Sequence, residues 1–220
     1  MAYNKGDNYE QNIFDLLTAK GLIAIGSNRG GAGNATDIKF LHNFQEYNLE
    51  VKLDLGADYG QKMLRWNDGI WSWCVDDPVT SFYTSVGVLD IINAKNFIPN
   101  RYSISRDVII MQHKKQDQKA FEDKVEIDIN SLYDFYGGKD CYYIQIGGYG
   151  FYHLKRDVLS LGTPQLDCKM NLRLSAKTIH SSPVYKYGFY VVLKVDKREK
   201  TKKSCYDLEQ KDGREFLAII

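Results

Sequence analysis

From Leu166 to Lys177 the chain alternates without a fault, with Leu166, Cys168, Met170, Leu172, Leu174 and Ala176 on one side and Asp167, Lys169, Asn171, Arg173, Ser175 and Lys177 on the other. Successive side chains of a strand point to opposite faces, so a period of two held this long specifies a strand with one face buried and one open. A strand of that kind needs a sheet, and Tyr187 to Val195, beyond a Ser-Ser-Pro turn, supplies a partner. CYYIQIGGYGFYHL, beginning at Cys141, reads as two more strands about a glycine turn.

The N-terminal half mixes periods. Asp7 to Lys20 is predicted as a helix, with Asp7 at the N-cap, Gly21 just past the end, and Ile13, Phe14 and Leu17 as the apolar stripe. A short helix is expected over Ala57–Trp66, another over Val86–Asn96, and a strand over Ser103–Gln112. Trp66, Trp71 and Trp73, with Tyr59, suit core packing, base stacking being the alternative. The expected class is α/β: a mixed central sheet flanked by helices, with a β-rich C-terminal portion. The division runs 1–138 and 139–220, or the chain forms one continuous domain.

Composition narrows the setting. The formal net charge is +1, so nothing in the total points to a polyanionic partner, although a local basic groove is compatible with acidic residues elsewhere. Cys74, Cys141, Cys168 and Cys205 have no CxxC spacing, which argues against a zinc ribbon and, with no signal peptide recognisable, for reduced thiols in the cytoplasm. No apolar run reaches the ~18 residues of a membrane helix, so no membrane partner is expected.

The chemistry gathers between Ala32 and Leu55. Asp37-Ile38-Lys39-Phe40 and Leu49-Glu50-Val51-Lys52-Leu53 alternate and are joined by a polar connection, as the two strands of a hairpin would be. If they pair, Ile38 and Phe40 share a face with Leu49, Val51 and Leu53, and Asp37, Glu50 and Lys52 converge on the other. Two carboxylates bind a hard cation such as Mg2+ while leaving positions for water and a phosphate oxygen. A neighbouring lysine, held as a cation by those acids, can orient the water or pair with the phosphate. Exposed strand faces also carry acids and lysines for no chemical purpose, so the context around the trio matters.

An aspartate followed thirteen residues later by Glu50-x-Lys52 resembles the PD-(D/E)xK nuclease superfamily, the fold of many type II restriction endonucleases and of archaeal Holliday junction resolvases. Thr36 stands where that pattern has proline. KGDNYEQNIFDLLTAKGL, from Lys5 to Leu22, looks like the opening helix of junction resolvases, where a glutamate reaches the metal, and Glu10 would take that role. A capping box between Asp7 and Glu10 is the alternative reading of the same residues. Gln61, nine residues after Lys52, falls where the superfamily often has a site-contacting glutamine at the start of a helix.

The resemblance implies a restriction-endonuclease-like sheet and Mg2+ bound by Asp37, Glu50 and Glu10. It implies that Lys52 positions the attacking water, that Gln61 supports the site, and that DNA hydrolysis leaves a 3′-hydroxyl and a 5′-phosphate. A homodimer acting on a short palindrome in double-stranded DNA follows from the same resemblance. Within that reading Arg29, in the glycine-rich run Gly26–Asp37, is a phosphate contact, while His42 in the hairpin loop is solvent-exposed rather than a base. Lys169, Asn171, Arg173 and Lys177, on the open face of the alternating strand, form the candidate recognition surface. Basic stretches at Arg101–Lys119 (net +3) and Lys194–Lys203 (net +4) are further phosphate candidates or solvated faces. A structure-specific nuclease and a non-catalytic DNA-binding protein are the competing functions.

Overall fold

The structure, a computed structural model, describes residues 5–30, 36–105, 108–180, 186–196 and 201–209. The chain is α/β, with two sheets and flanking helices, and it forms two compact units. The first unit draws its described residues from Met1–Ala57, Asp128–Lys169 and Val195–Ile220, and the second from Asp58–Ile127 and Met170–Lys194. The division expected after residue 138 falls inside the first unit.

In the first unit, α1 (Lys5–Ala19) precedes a four-stranded sheet of β1 (Ile38–His42), β2 (Gln45–Lys52), β6 (Cys141–Ile146) and β7 (Gly150–His153), in that spatial order. β2 and β6 run parallel and the outer pairs antiparallel, which makes the sheet mixed. α1 buries Tyr9, Ile13 and Leu17, one residue per turn, on Ile38, Phe40, Leu49, Val51, Tyr143 and Phe151. It ends as expected at Gly21, whose φ of 72° lets the Leu22 amide donate to the Leu17 carbonyl at 2.9 Å. Asp7 lies within the helix, so the capping box with Glu10 does not form.

The hairpin holds the expected register. Ile38 faces Leu49, and Ile38, Phe40, Leu49 and Val51 are all buried in one cluster, with Leu53 packed beside it. Its strands are longer than the sequence suggested, and they close with Asn43 and Phe44 alone between His42 and Gln45. Both turn residues have positive φ, 49° and 64°, the twist that a two-residue hairpin requires. His42 therefore ends a strand, half-buried, with its ring 6.4 Å from that of Tyr47. On the far side of the strand order, the Gly147 amide donates to the Lys52 carbonyl at 2.9 Å. A Cβ at Gly147 would collide with the Leu53 carbonyl, so the approach requires glycine. α6 (Ile129–Gly137), capped by the Asp128 carboxylate, buries Leu132, Tyr133 and Tyr136.

The second unit has a five-stranded sheet, ordered β4 (Ile70–Trp73), β3 (Gly60–Asn67), β9 (Lys186–Val195), β8 (Met170–His180) and β5 (Asp123–Ile127). The short helices α2 (Pro78–Ser85), α3 (Val88–Asn93) and α4 (Asn100–Ser103) and the longer α5 (Met111–Phe121) accompany it. Its core is aromatic: the Trp71 ring lies 4.8 Å from Phe189, 5.2 Å from Phe121 and 5.4 Å from Trp66.

Two expected elements are corrected here. Residues 60–67 form β3, not a helix, because they pair along β9 from Gly60↔Leu193 to Leu64↔Phe189. The local signal was present: Asp68-Gly69, both at positive φ, is a strong two-residue hairpin turn and joins β3 to β4. The strand expected over 103–112 is absent among its described residues. The buried Asp117 carboxylate accepts from the Asn100 amide at 2.8 Å and the Arg101 amide at 3.2 Å, which favours a helical start there. The partner strand Tyr187–Val195 and the glycine turn between β6 and β7 match expectation, whereas the Ser-Ser-Pro turn lies outside the described residues.

Phe44 is fully exposed with φ 64°, so its side chain contributes no packing while its backbone is strained. Phe44→Gly is expected to stabilise the protein by about 0.5–1 kcal/mol in a denaturant melt, the net of the relieved left-handed strain and the glycine's greater unfolded entropy.

Candidate functional site

Ile38 pairs with Leu49, so the residues flanking that pair, Asp37 and Glu50, project together from the opposite face, and Lys52 follows two residues further along β2. The Lys52 Nζ lies 2.5 Å from Glu50 Oε1 and 3.9 Å from Asp37 Oδ2. All three side chains are largely withdrawn from solvent, with exposures of 13% for Lys52, 9% for Glu50 and 24% for Asp37. Asp37 Oδ2 also accepts from the Val51 amide at 2.8 Å. From α6, the fully buried Tyr136 hydroxyl donates to Glu50 Oε1 at 2.9 Å.

The electrostatics are unbalanced toward negative charge. Burial, reinforced by the Glu50 charge, pushes the Asp37 carboxyl up to about 7, and Lys52 and the Val51 amide offset this only in part. Burial alone would drive Lys52 toward neutrality, but Glu50 and Asp37 outweigh it and hold the ammonium protonated. Glu10, raised chiefly by burial, pairs with Arg29 at 3.0 Å, and its charge reaches Asp37 and Lys52. The structure thus brings Glu10, Asp37, Glu50 and Lys52 into one field.

The remaining sequence-derived candidates are placed differently. Gln61 belongs to the second unit, at the start of a strand, and its Oε1 accepts from Lys177 Nζ at 2.5 Å. Lys177 is also 3.9 Å from Asp58. Arg29, only 18% exposed, donates to the Asp7 carbonyl at 3.2 Å besides pairing with Glu10, so it ties its loop to α1. Arg173 is exposed on β8, and Lys169 is exposed just before it, in the first unit. Asn171 is a correction: it is 4% exposed, not on an open surface. β8 lies between β9 and β5, so a short side chain is flanked on both sides, whereas an arginine reaches past its neighbours.

Three contributors were not singled out in the sequence. Tyr136 fixes Glu50, and Asn48 links the hairpin to the end of α6, accepting from Thr36 Oγ1 and donating to the Lys139 carbonyl, each at 3.0 Å. Lys139 itself is half-buried, and burial depresses its ammonium despite the nearby Glu50. The helix was legible in Asp128, the Leu132/Tyr133/Tyr136 spacing and the Gly137-Gly138 stop. The sheet face it would cover was not.

Among the described residues no three His, Cys, Asp or Glu side chains gather as a ligand set for a metal. The gathering is instead two carboxylates about an ammonium. No family model, no curated protein and no solved structure matches the chain.

Asp37 gives a pH signature in metal-free protein. An acid whose folded value lies above its ordinary 3.8 favours the fold when protonated, and that contribution is lost as the pH rises through about 7. Asp37→Asn is therefore expected to melt above wild type at pH 8 in EDTA, with the advantage shrinking toward pH 4. A melting difference independent of pH would show that Asp37 titrates normally.

Proposed function

We propose that this protein is a divalent-metal-dependent phosphodiesterase acting on DNA, an endonuclease of the PD-(D/E)xK kind, with Asp37, Glu50 and Lys52 at its centre. The observation that carries the reading is the buried convergence of these three side chains on one face of β2 and its hairpin partner.

The donor set suits Mg2+, which is usually held by one or two carboxylates and completed by water and substrate phosphate. Asp37 and Glu50 would hold it, with Glu10 near enough to add negative charge. The site already prefers a cation: Lys52 sits against Glu50, and Asp37 still resists ionisation. When bound, the ion would acidify water and stabilise negative charge developing on the phosphoryl oxygens.

The chain's own residues do the rest. Lys52, kept protonated by its two acids, acts as a fixed positive charge and hydrogen-bond donor toward the phosphate or the attacking water, not as a base. Tyr136 and the Val51 amide each occupy one carboxylate oxygen, which fixes the acids' orientation before substrate arrives. Water attacking phosphorus in line would displace the 3′-oxygen, leaving a 3′-hydroxyl and a 5′-phosphate. That choice of bond, the type II restriction activity on a short site and the homodimer rest on the resemblance. Arg173, exposed on β8, and Lys169 before it are the remaining candidates for DNA contact from the alternating segment.

Incubation with supercoiled plasmid in Mg2+, Ca2+ or EDTA tests the function: discrete linear fragments with Mg2+ alone are expected. Cleavage confined to branched DNA would replace the restriction reading with a junction-specific one, and absence of cleavage from both substrates would overturn the enzyme assignment. Lys52→Ala is expected to lower cleavage by several orders of magnitude with DNA affinity near wild type, and unchanged cutting would remove Lys52 from the mechanism.

A further inference from the structure

A second group of cations lies in the first unit, beyond the carboxylate cluster. Lys139 follows α6, its carbonyl held by Asn48 and its amide donating to the Tyr136 carbonyl at 3.0 Å. The Lys139 ammonium rests 4.1 Å from the Phe135 ring centre, and among the described residues no carboxylate lies within 4 Å of it. It is nevertheless within electrostatic reach of Glu50, Asp37 and Lys52.

Next to it in the chain, a cleft of 460 Å³ is lined by Asp134, Gly137, Gly138, Tyr142, Lys155 and Arg156. The Arg156 guanidinium lies 5.1 Å from the centre of the Tyr142 ring and 3.5 Å from its hydroxyl, again with no carboxylate within 4 Å among the described residues. Lys155 is paired with Asp134 at 2.6 Å.

A role as partners of the negative C-terminal end of α6 would account for Lys139 or Lys155. It does not account for Arg156, which comes from the segment after β7 and lies against the Tyr142 ring. An exposed guanidinium beside an aromatic ring keeps N–H donors available for bidentate phosphate binding. Two cations with no carboxylate within 4 Å among the described residues, beside an open cleft and one of them in the field of the catalytic trio, suit a polyanion that continues past the reacting phosphate.

We propose that Lys139 and Arg156 bind backbone phosphates of the DNA strand adjoining the scissile one, so that the cleft beside α6 carries the strand away from Asp37, Glu50 and Lys52. This rests on the nuclease reading and adds to it a phosphate track in the first unit.

Fluorescence anisotropy of a labelled duplex of about 20 base pairs, titrated in EDTA at several salt concentrations, tests it. Lys139→Ala and Arg156→Ala are each expected to weaken binding about 5–10-fold and to reduce the salt slope by about one. Lys139→Arg should retain affinity, and Lys20→Ala, at an exposed position after α1, should change nothing. Unchanged affinity and slope in both alanine variants, or an equal loss in Lys20→Ala, would overturn the proposal. The two readings separate: plasmid cleavage with unaltered variant affinities keeps the nuclease and removes the track, whereas specific loss of binding in a protein that cuts nothing keeps the track and removes the nuclease. A wild-type protein that fails to bind the duplex removes the track, and the nuclease reading then stands or falls on the cleavage assay.

Discussion

One ammonium between two carboxylates is the arrangement on which the first unit turns. Lys52 touches Glu50 and lies near Asp37 where little water reaches any of them. Burying three charges costs more than their mutual attraction returns in most settings. The chain retains it with a tyrosine hydroxyl and a backbone amide satisfying the acids, and even so Asp37 is displaced well toward its neutral form. A cluster that is expensive to bury and still short of positive charge suits a site awaiting a cation or substrate better than a stability device.

The surrounding structure can be understood as what keeps those side chains on one face. A slip of one residue between β1 and β2 would send Glu50 and Lys52 into the apolar cluster and Val51 out of it. The two-residue turn at Asn43-Phe44 and the packing of Tyr9, Ile13 and Leu17 against the opposite face forbid that slip. The parallel pairing of β2 with β6 then places α6, which precedes β6, where Tyr136 reaches Glu50. A second polar network steadies the α1 side: the buried Gln145 donates to Tyr9 and Asp207, and Tyr9 donates to Glu209.

The second unit shows a different economy. Its core is a stack of aromatic rings around Trp71, and the buried Asp117 gathers Asn100, Arg101 and Tyr187. Several of its lysines are already partnered, Lys62 with Asp77, Lys95 with Asp123 and Lys194 with Asp58. A basic sequence stretch is therefore a poor guide to a binding surface, because a lysine neutralised by its own fold has less to offer a phosphate than one with no carboxylate nearby.

By itself, the sequence determined what is local and periodic: the hairpin faces of Ile38, Leu49 and Val51, the end of α1 at Gly21, the alternation of β8 from Met170 on although not its expected start at Leu166, and hence the convergence of Asp37, Glu50 and Lys52. These follow from side-chain alternation and turn chemistry, which neighbouring residues settle among themselves. Tertiary structure decided what depends on distant partners. Residues 60–67 became a strand through β9, Asn171 was buried on an interior strand, Arg29 was captured by Glu10, and Gln61 went to a different unit from the acids. It also supplied Tyr136 to Glu50 across 86 positions of sequence, a contact no local pattern encodes because the free energy that selects it comes from packing a whole helix onto a sheet.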